Sequence, residues 1–178
     1  MIETVRQVLT SQYAASLSTL GHCIAKCPDA LWNAPVARYP FCQTAFHALI
    51  FADLYLGPDE ASFRRQPFHL ANAAFFGDYE QLEDREPLSL YERSPLMAYL
   101  EFCRGKATST IAAETPETLA SPASFPRRNV FRAELHVINI RHIQHHAAQL
   151  TLRLRLASDV EIPWVGQGWN DPTARKLQ

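Results

Sequence analysis

The sequence lacks an excess of charge of either sign, and it lacks a basic cluster. It has 17 basic and 18 acidic residues among 178, which gives a formal net charge of −1. Basic residues adjoin one another only in pairs, such as Arg64–Arg65 and Arg127–Arg128. Because proteins that bind nucleic acid concentrate positive charge on one face, this composition argues against a nucleic-acid partner.

Long apolar runs are also missing, and so is a leader-like N-terminus. No apolar run approaches the roughly 20 residues that a helix needs to cross a bilayer. The chain begins Met1-Ile2-Glu3-Thr4, without a basic segment followed by an apolar one. We therefore expect a cytoplasmic protein with no membrane partner.

Cysteine is scarce and is not spaced for cross-linking. The four cysteines, Cys23, Cys27, Cys42 and Cys103, form no C-x-x-C pair. A chain of this length can bury a sufficient core without disulfides, so we expect reduced, mostly buried thiols. Cys23 and Cys27 are four residues apart and could share a metal, but a zinc site would need two further ligands nearby.

Helical spacing dominates what is present, since apolar residues recur at intervals of three and four and no segment alternates like a strand. This spacing predicts four helices, at about 2–26, 41–56, 89 or 94 to 114, and 129–156. With 47% apolar and 20% charged residues, the composition suits one domain, residues 1–178. The predicted fold class is all-α, a four-helix bundle with long connecting loops.

Two of the predicted connections are long. Residues 58–88 hold many aromatic side chains, which form either a lid over a pocket or a cap on one end of the bundle. Residues 115–128 are predicted to form a second loop. Ser94–Pro95 is a favourable start for the third helix, with Ser94 as its N-cap. The segment after Ser158 is predicted to be non-helical, as an ordered cap or an oligomer contact.

The main candidate for chemistry is a histidine cluster in the fourth helix. His142 and His146 are one helical turn apart, so their imidazoles face the same side. A neutral imidazole beside apolar residues needs a hydrogen-bond partner or a metal ion. By itself the pair is a weak signal, because surface histidines and hydrogen-bonded core histidines show the same spacing.

His47 strengthens this signal, because it lies one turn into the second helix beside apolar core positions. Together with His142 and His146 it gives three nitrogen ligands from facing helices. Three protein ligands leave one coordination position open, as in catalytic metal sites. Imidazole ligation suits a divalent metal ion, with zinc or nickel expected first and iron as a further option.

The segment 142–149, H-I-Q-H-H-A-A-Q, resembles the H-x-x-H-H-x-x-Q signature of the DinB-like (DinB/YfiT) superfamily of metal-dependent bundles. Residues 32–49 look like the second-helix region of that family, which supplies the other histidine. The resemblance implies that His47, His142 and His146 are the metal ligands, and it places His145 outside the ligand set.

Gln149 corresponds to the glutamine of this signature, and two nearby positions depart from the family. Many members have glycine where this chain has Ala148, and many have asparagine where it has Arg141. Neither change removes a ligand, but both alter the pocket beside the metal. The sequence singles out no catalytic residue beyond the three ligands.

The resemblance implies a metal-dependent enzyme acting on a small-molecule substrate, because characterised members include thiol S-transferases that use low-molecular-weight thiols. A metal ion with an open position lowers the pKa of a bound thiol, which can then attack an electrophile. Hydrolysis by metal-bound water is the other reaction that such a site supports. The family also implies a homodimer, and the segment Trp164–Trp169 offers aromatic surface for one.

Two further hypotheses compete with an enzyme. In the first, the protein is a non-enzymatic, metal-stabilised or stress-associated bundle whose site is closed by a fourth ligand from Asp53, His69 or His145. In the second, the bundle binds no metal and its histidines are hydrogen-bonded. A chelator would then leave the melting temperature unchanged.

Overall fold

The computed structural model describes residues 1–77, 89–125 and 129–173, and within these ranges the protein is helical and contains no strand. The all-α prediction is confirmed. In chain order the helices are α1 (Ile2–Lys26), α2 (Asp29–Trp32), α3 (Phe41–Leu56), α4 (Glu60–Phe63), α5 (Pro67–Ala71), α6 (Arg93–Ala113), α7 (Pro116–Ala120) and α8 (Arg132–Ser158). None of the helices in these ranges combines the length and the apolar character needed to cross a bilayer.

The four long helices α1, α3, α6 and α8 correspond to the four predicted from apolar spacing. Both α1 and α3 pack against both α6 and α8. Their inner faces meet in a core that includes the fully buried side chains of Tyr13, Leu49, Leu100 and Leu150. The predicted helices at 2–26 and 41–56 coincide with α1 and α3, and the other two differ from the structure by a few residues at both ends.

Contacts along α3 and α8 show that these two helices run antiparallel. The Arg132 guanidinium, at the start of α8, donates to the Gly57 carbonyl at 2.7 Å and to other carbonyls at the end of α3. Two turns further along α8, the Asn139 amide donates to the Ala52 carbonyl at 3.0 Å. Arg132 thus satisfies carbonyl groups that the end of a helix leaves without intrahelical partners.

The start of α6 differs from the prediction, because Arg93 is its first residue and Glu92, not Ser94, occupies the N-cap position. Arg93 donates to the Ile24 carbonyl at 2.8 Å and its guanidinium lies 4.5 Å from the Trp32 ring centroid. These long-range contacts start the helix two residues earlier than the local Ser-Pro signal indicated.

Short helices occur in both predicted loops. Thr115 caps α7, with reciprocal hydrogen bonds between Thr115 and Thr118. Asp59 caps α4 by accepting a hydrogen bond from the Ser62 amide at 2.7 Å. The predicted loop over 115–128 therefore contains the short helix α7, and residues 58–77 contain α4 and α5. The remainder of the first predicted loop, residues 78–88, lies outside the described residues.

The aromatic side chains of 58–77 pack into the core. Phe76 lies edge-on to Tyr99 with ring centroids 4.9 Å apart, and Phe68 stacks on Phe102 at 4.3 Å. Phe75 lies edge-on to Phe46 at 5.2 Å. These contacts with α3 and α6 support the interpretation of the segment as a cap on the helices, and they bury the aromatic surface that a lid would offer to a ligand.

The segment after α8 is non-helical through residue 173, as predicted, and it lies along α1. The Gly168 amide donates to the Ser11 carbonyl at 3.1 Å, and the Asn170 amide donates to the Ser18 hydroxyl at 2.8 Å. Gly21 allows this approach, because a Cβ atom there would lie 2.7 Å from Leu100 and 3.0 Å from Pro172. The segment is therefore an ordered cover over α1.

All four cysteines are buried free thiols, as the sequence indicated. Burial raises the pKa of Cys23 to about 12 and that of Cys27 to about 11. Cys23 hydrogen-bonds to Thr151, at 3.3 Å between the sulfur and the hydroxyl oxygen. Because metals bind the thiolate form, the raised pKa values argue against a metal shared by Cys23 and Cys27.

Candidate metal centre

The antiparallel course of α3 and α8 brings His47, His142 and His146 together. Their ring centroids are 5.2 Å apart for His47 and His142, 4.7 Å for His47 and His146, and 4.5 Å for His142 and His146. One nitrogen from each ring can be chosen so that all three lie within 4.8 Å of one another. Each side chain is half-buried, so the group lies between core and solvent.

The closest atoms of the group are the Nε2 atoms of His142 and His146, which are 3.1 Å apart. Tetrahedral zinc, with bonds of 2.0 to 2.1 Å to imidazole, places its ligand nitrogens about 3.3 Å apart. The space between these two atoms therefore fits either one shared proton or, with a small adjustment, a metal ion. His47 approaches the same point from the facing helix. A proton shared by His142 and His146 does not need this third ring, whereas a metal ion does, so the position of His47 favours the metal ion.

Gln149 fixes the orientation of His146. Its Oε1 lies 2.9 Å from His146 Nδ1, and because an amide oxygen only accepts, His146 carries its proton on Nδ1. The lone pair of Nε2 then points toward His142 and His47. The other end of the Gln149 amide donates to Nε2 of His145 at 3.1 Å. The Gln149 oxygen thus accepts from one histidine and its nitrogen donates to the other, which supports this assignment of the amide oxygen and nitrogen.

Burial keeps the imidazoles of His47 and His146 neutral. It lowers the pKa of His47 to about 4, with a further contribution from the charge of His146. Burial also lowers the pKa of His146, against the raising effect of its hydrogen bond with Gln149. At neutral pH both rings therefore offer a lone pair, which is the form that binds a metal ion.

Asp53, His69 and His145 lie elsewhere. The Asp53 carboxylate turns toward α6, where its Oδ2 accepts hydrogen bonds from Tyr99 at 2.7 Å and from His69 Nε2 at 2.6 Å. His145 is exposed and hydrogen-bonded to Gln149. Among the described residues, the group of potential ligands consists of the three histidines alone. None of the three residues considered for a fourth ligand joins it.

His136 is the remaining histidine of α8, and it is fully buried away from this group. Its Nε2 donates to Glu114 at 3.0 Å, and its Nδ1 accepts from the Tyr13 hydroxyl at 3.0 Å. Both nitrogens therefore have protein partners. Burial lowers the pKa of His136, although the hydrogen bond with Glu114 opposes the shift. This histidine has the bonding expected of a core residue.

An aromatic wall adjoins the histidines, and sequence reasoning missed its nearest member, Phe51. The Phe51 ring lies 4.8 Å from His47 and 5.2 Å from His142. Tyr55 continues the row at 5.6 Å from Phe51, and Phe125 lies edge-on to Tyr55 at 5.4 Å. The signal was present, because Phe51 follows His47 by one helical turn and must share its face.

The chain matches no family model, no curated protein and no solved structure. Membership of the DinB-like superfamily therefore stays a prediction from the motif at 142–149. The description of the site rests on its own geometry: three imidazoles from two facing helices, Gln149 behind one of them, and Phe51 beside two of them. This arrangement can bind one divalent cation through uncharged ligands.

Proposed function

We propose that the chain is a metal-dependent enzyme of the DinB-like (DinB/YfiT) superfamily. In this proposal His47, His142 and His146 hold one divalent ion, with zinc or nickel first and iron as a further option. The enzyme activates a low-molecular-weight thiol, or water, against a small-molecule electrophile. The observation that carries the proposal is the convergence of three half-buried imidazoles within 4.8 Å, with no carboxylate in the group among the described residues.

The residues fit a catalytic metal better than a purely structural one. Structural zinc sites usually have four protein ligands, whereas three ligands leave a position for a substrate. Uncharged ligands also leave the full charge of the ion uncompensated, which favours a negatively charged thiolate at that position. When bound, the ion supplies Lewis-acid chemistry by lowering the pKa of a coordinated thiol or water.

The chain's own residues have three roles in this proposal. His47, His142 and His146 bind the ion. Gln149 acts as a positioning residue, because it holds the tautomer of His146 that directs Nε2 inward. Phe51 shields the side of the site between His47 and His142 from water and offers an apolar surface to the electrophile.

The finer description of the fold belongs to the same proposal. We propose that α1, α3, α6 and α8 form a four-helix bundle of the DinB/YfiT type, since each packs against two of the others. We also propose a homodimer. Trp164 supports it, because 83% of this side chain is exposed on the segment that covers α1.

Metal stoichiometry tests the site directly. Untagged protein, purified without added metal or chelator, should contain close to one divalent ion per chain by elemental analysis. Replacing His47, His142 or His146 with alanine should remove most of it, because two imidazoles hold an ion far less tightly than three. His22→Ala is the matched control, since this histidine lies on α1 and hydrogen-bonds to Asn170. Equal metal loss in the control would contradict the assignment.

A non-enzymatic, metal-stabilised protein is the alternative, favoured by the fact that the group links α3 to α8. The two functions differ in whether the ion has a position open to a ligand. Cobalt-loaded protein should change its visible absorption when a small thiol is added if the position is open. A cobalt spectrum that no thiol or competing anion alters would favour the structural role and count against the enzyme.

A further inference from the structure

Arg153 stands apart from the other half-buried arginines of the described residues. Its Nε atom is inaccessible to solvent and has no hydrogen-bond partner, and no carboxylate among the described residues forms an ion pair with it. A buried N–H donor that gives up water without gaining a partner costs free energy, so the position of this Nε atom calls for an explanation. The other half-buried arginines all have polar partners: Arg6, Arg93, Arg104 and Arg132.

Arg153 lies on the same face of α8 as the two histidines. The helix is continuous from Arg132 to Ser158, and Arg153 follows His146 by seven residues and His142 by eleven. At 3.6 residues per turn, these spacings place Arg153 within about 20° of either histidine around the helix axis. The stripe of His142, His146, Gln149 and Arg153 therefore points in one direction along α8.

The distance along this stripe is that of a small molecule. Seven residues correspond to about 10 Å along the helix axis. Helical side chains generally lean toward the N-terminus of their helix, which for Arg153 is the direction of His146.

We propose that Arg153 binds an anionic group of the ligand that occupies the metal centre. The inference rests on the proposed function, because the other end of that ligand binds the ion at His47, His142 and His146. The ligand class is a small molecule with a thiol at one end and a carboxylate or phosphate up to about 10 Å away. Arginine suits such a group because its planar N–H donors match the two oxygens of an oxyanion.

Paired probes that differ in one charge test this proposal on the cobalt-loaded protein. Mercaptohexanoate and mercaptohexanol share a thiol and a similar chain length, and only the first has a carboxylate. Their dissociation constants are measured from the change in cobalt absorption, for the wild type, Arg153→Gln and Arg155→Gln. Arg155 is the matched control, because it has the same charge on the same helix but is exposed on another face. Arg153→Met, which keeps the apolar stem, replaces Arg153→Gln if the latter melts early.

The wild type should bind mercaptohexanoate about tenfold more tightly than mercaptohexanol, as expected for one charged hydrogen-bonded contact. This preference should disappear in Arg153→Gln and persist in Arg155→Gln, with the cobalt content unchanged in both. A preference that survives in Arg153→Gln, or none in the wild type, would overturn the role of Arg153 and leave the metal centre standing. If the wild type itself takes up no cobalt, both the metal centre and the role of Arg153 are overturned.

Discussion

Two polar clusters on α3 contain histidine and differ in how completely the protein satisfies them. Around Asp53, both carboxylate oxygens have donors: His69 and Tyr99 on one, Lys106 and Gln66 on the other. Asp53 is fully buried, and the cluster has aromatic neighbours, among them the Phe76 ring stacked on His69 at 4.1 Å. The charged and polar side chains of this cluster are therefore joined to one another by hydrogen bonds.

The cluster around His47 has the opposite character. It contains three imidazoles and no carboxylate, and its members are half-buried rather than enclosed. Two of the three aim their Nε2 atoms at each other at 3.1 Å. A histidine that donates to a buried carboxylate, like His69, holds the fold together. Imidazoles that converge on one point without an acid could hold a cation there, and our proposal of a metal site at the His47 cluster rests on this difference.

Removing Asp53 should produce the largest effect on stability. Asp53→Ala leaves Lys106, His69 and Tyr99 without their shared acceptor, so we expect the free energy of unfolding to fall by about 3 to 5 kcal/mol. Urea unfolding followed by circular dichroism measures the change. Asp29→Ala, which removes an exposed partner of Arg93, should cost far less. Comparable losses in the two variants would show that the Asp53 cluster does not stabilise the fold.

The same residue gives a pH dependence. Burial by itself raises the pKa of Asp53, but the hydrogen bond from His69 and the charge and hydrogen bond of Lys106 outweigh it, so the pKa lies below its ordinary value. A depressed pKa stabilises the folded state above the ordinary pKa of about 4, and this contribution is lost as the pH falls through the folded-state value. The stability difference between wild type and Asp53→Ala should therefore narrow below pH ~4. A constant difference down to pH ~2 would contradict this.

Metal addition should give the next largest effect, and only through the His47 cluster. An ion that binds the folded state alone adds about 2.7 kcal/mol of stability when its free concentration is a hundred times the dissociation constant. Zinc should therefore raise the melting temperature of the wild type and of Asp53→Ala, but leave that of His142→Ala unchanged. Calorimetry with and without a chelator measures these shifts. A zinc response that survives in His142→Ala would remove this histidine from the site.

The long helices and the His142–His146 pair could be predicted because each depends on local spacing. Apolar residues at intervals of three and four define α1 through its whole length, and histidines four apart on one helix must share a face. His47 was within reach for a related reason, since its place one turn into the second helix, among apolar residues, predicted an inward direction. Each of these features follows from the geometry of a single helix, so the local sequence is enough to predict it.

The missed features depend on contacts between distant segments. Arg93 starts α6 because it bonds to carbonyls at the end of α1, and no pattern near Ser94 reveals that bond. Asp53 was considered as a fourth ligand because it follows His47 by six residues. That spacing turns a side chain well around the helix, and its partners come from α6 and from the segment around α5. The carboxylate therefore belongs to the other cluster.

Gln149 offers a finer test of how the metal centre is built. Gln149→Ala removes the acceptor that holds the Nδ1 proton of His146, so the ring can adopt the other tautomer or rotate. We expect the affinity for zinc to fall about 10- to 100-fold, as found when the hydrogen-bond partner of a ligating histidine is lost. Titration against a chromophoric chelator measures this change. Gln144→Ala, at a half-buried position on the same helix, is the control.

His145 should have the smallest effect, although it lies between the two ligands of α8 in the sequence. Its side chain is exposed, and its bond is to the amide end of Gln149 that does not touch His146. In His145→Ala, water can replace the lost acceptor while Oε1 of Gln149 still orients His146. We therefore expect full metal stoichiometry, a change in zinc affinity of less than about threefold, and a stability within about 0.5 kcal/mol of wild type. Loss of one metal equivalent would mean that His145, rather than His142 or His146, ligates the ion. The residues of α8 that bind the ion would then have to be assigned anew.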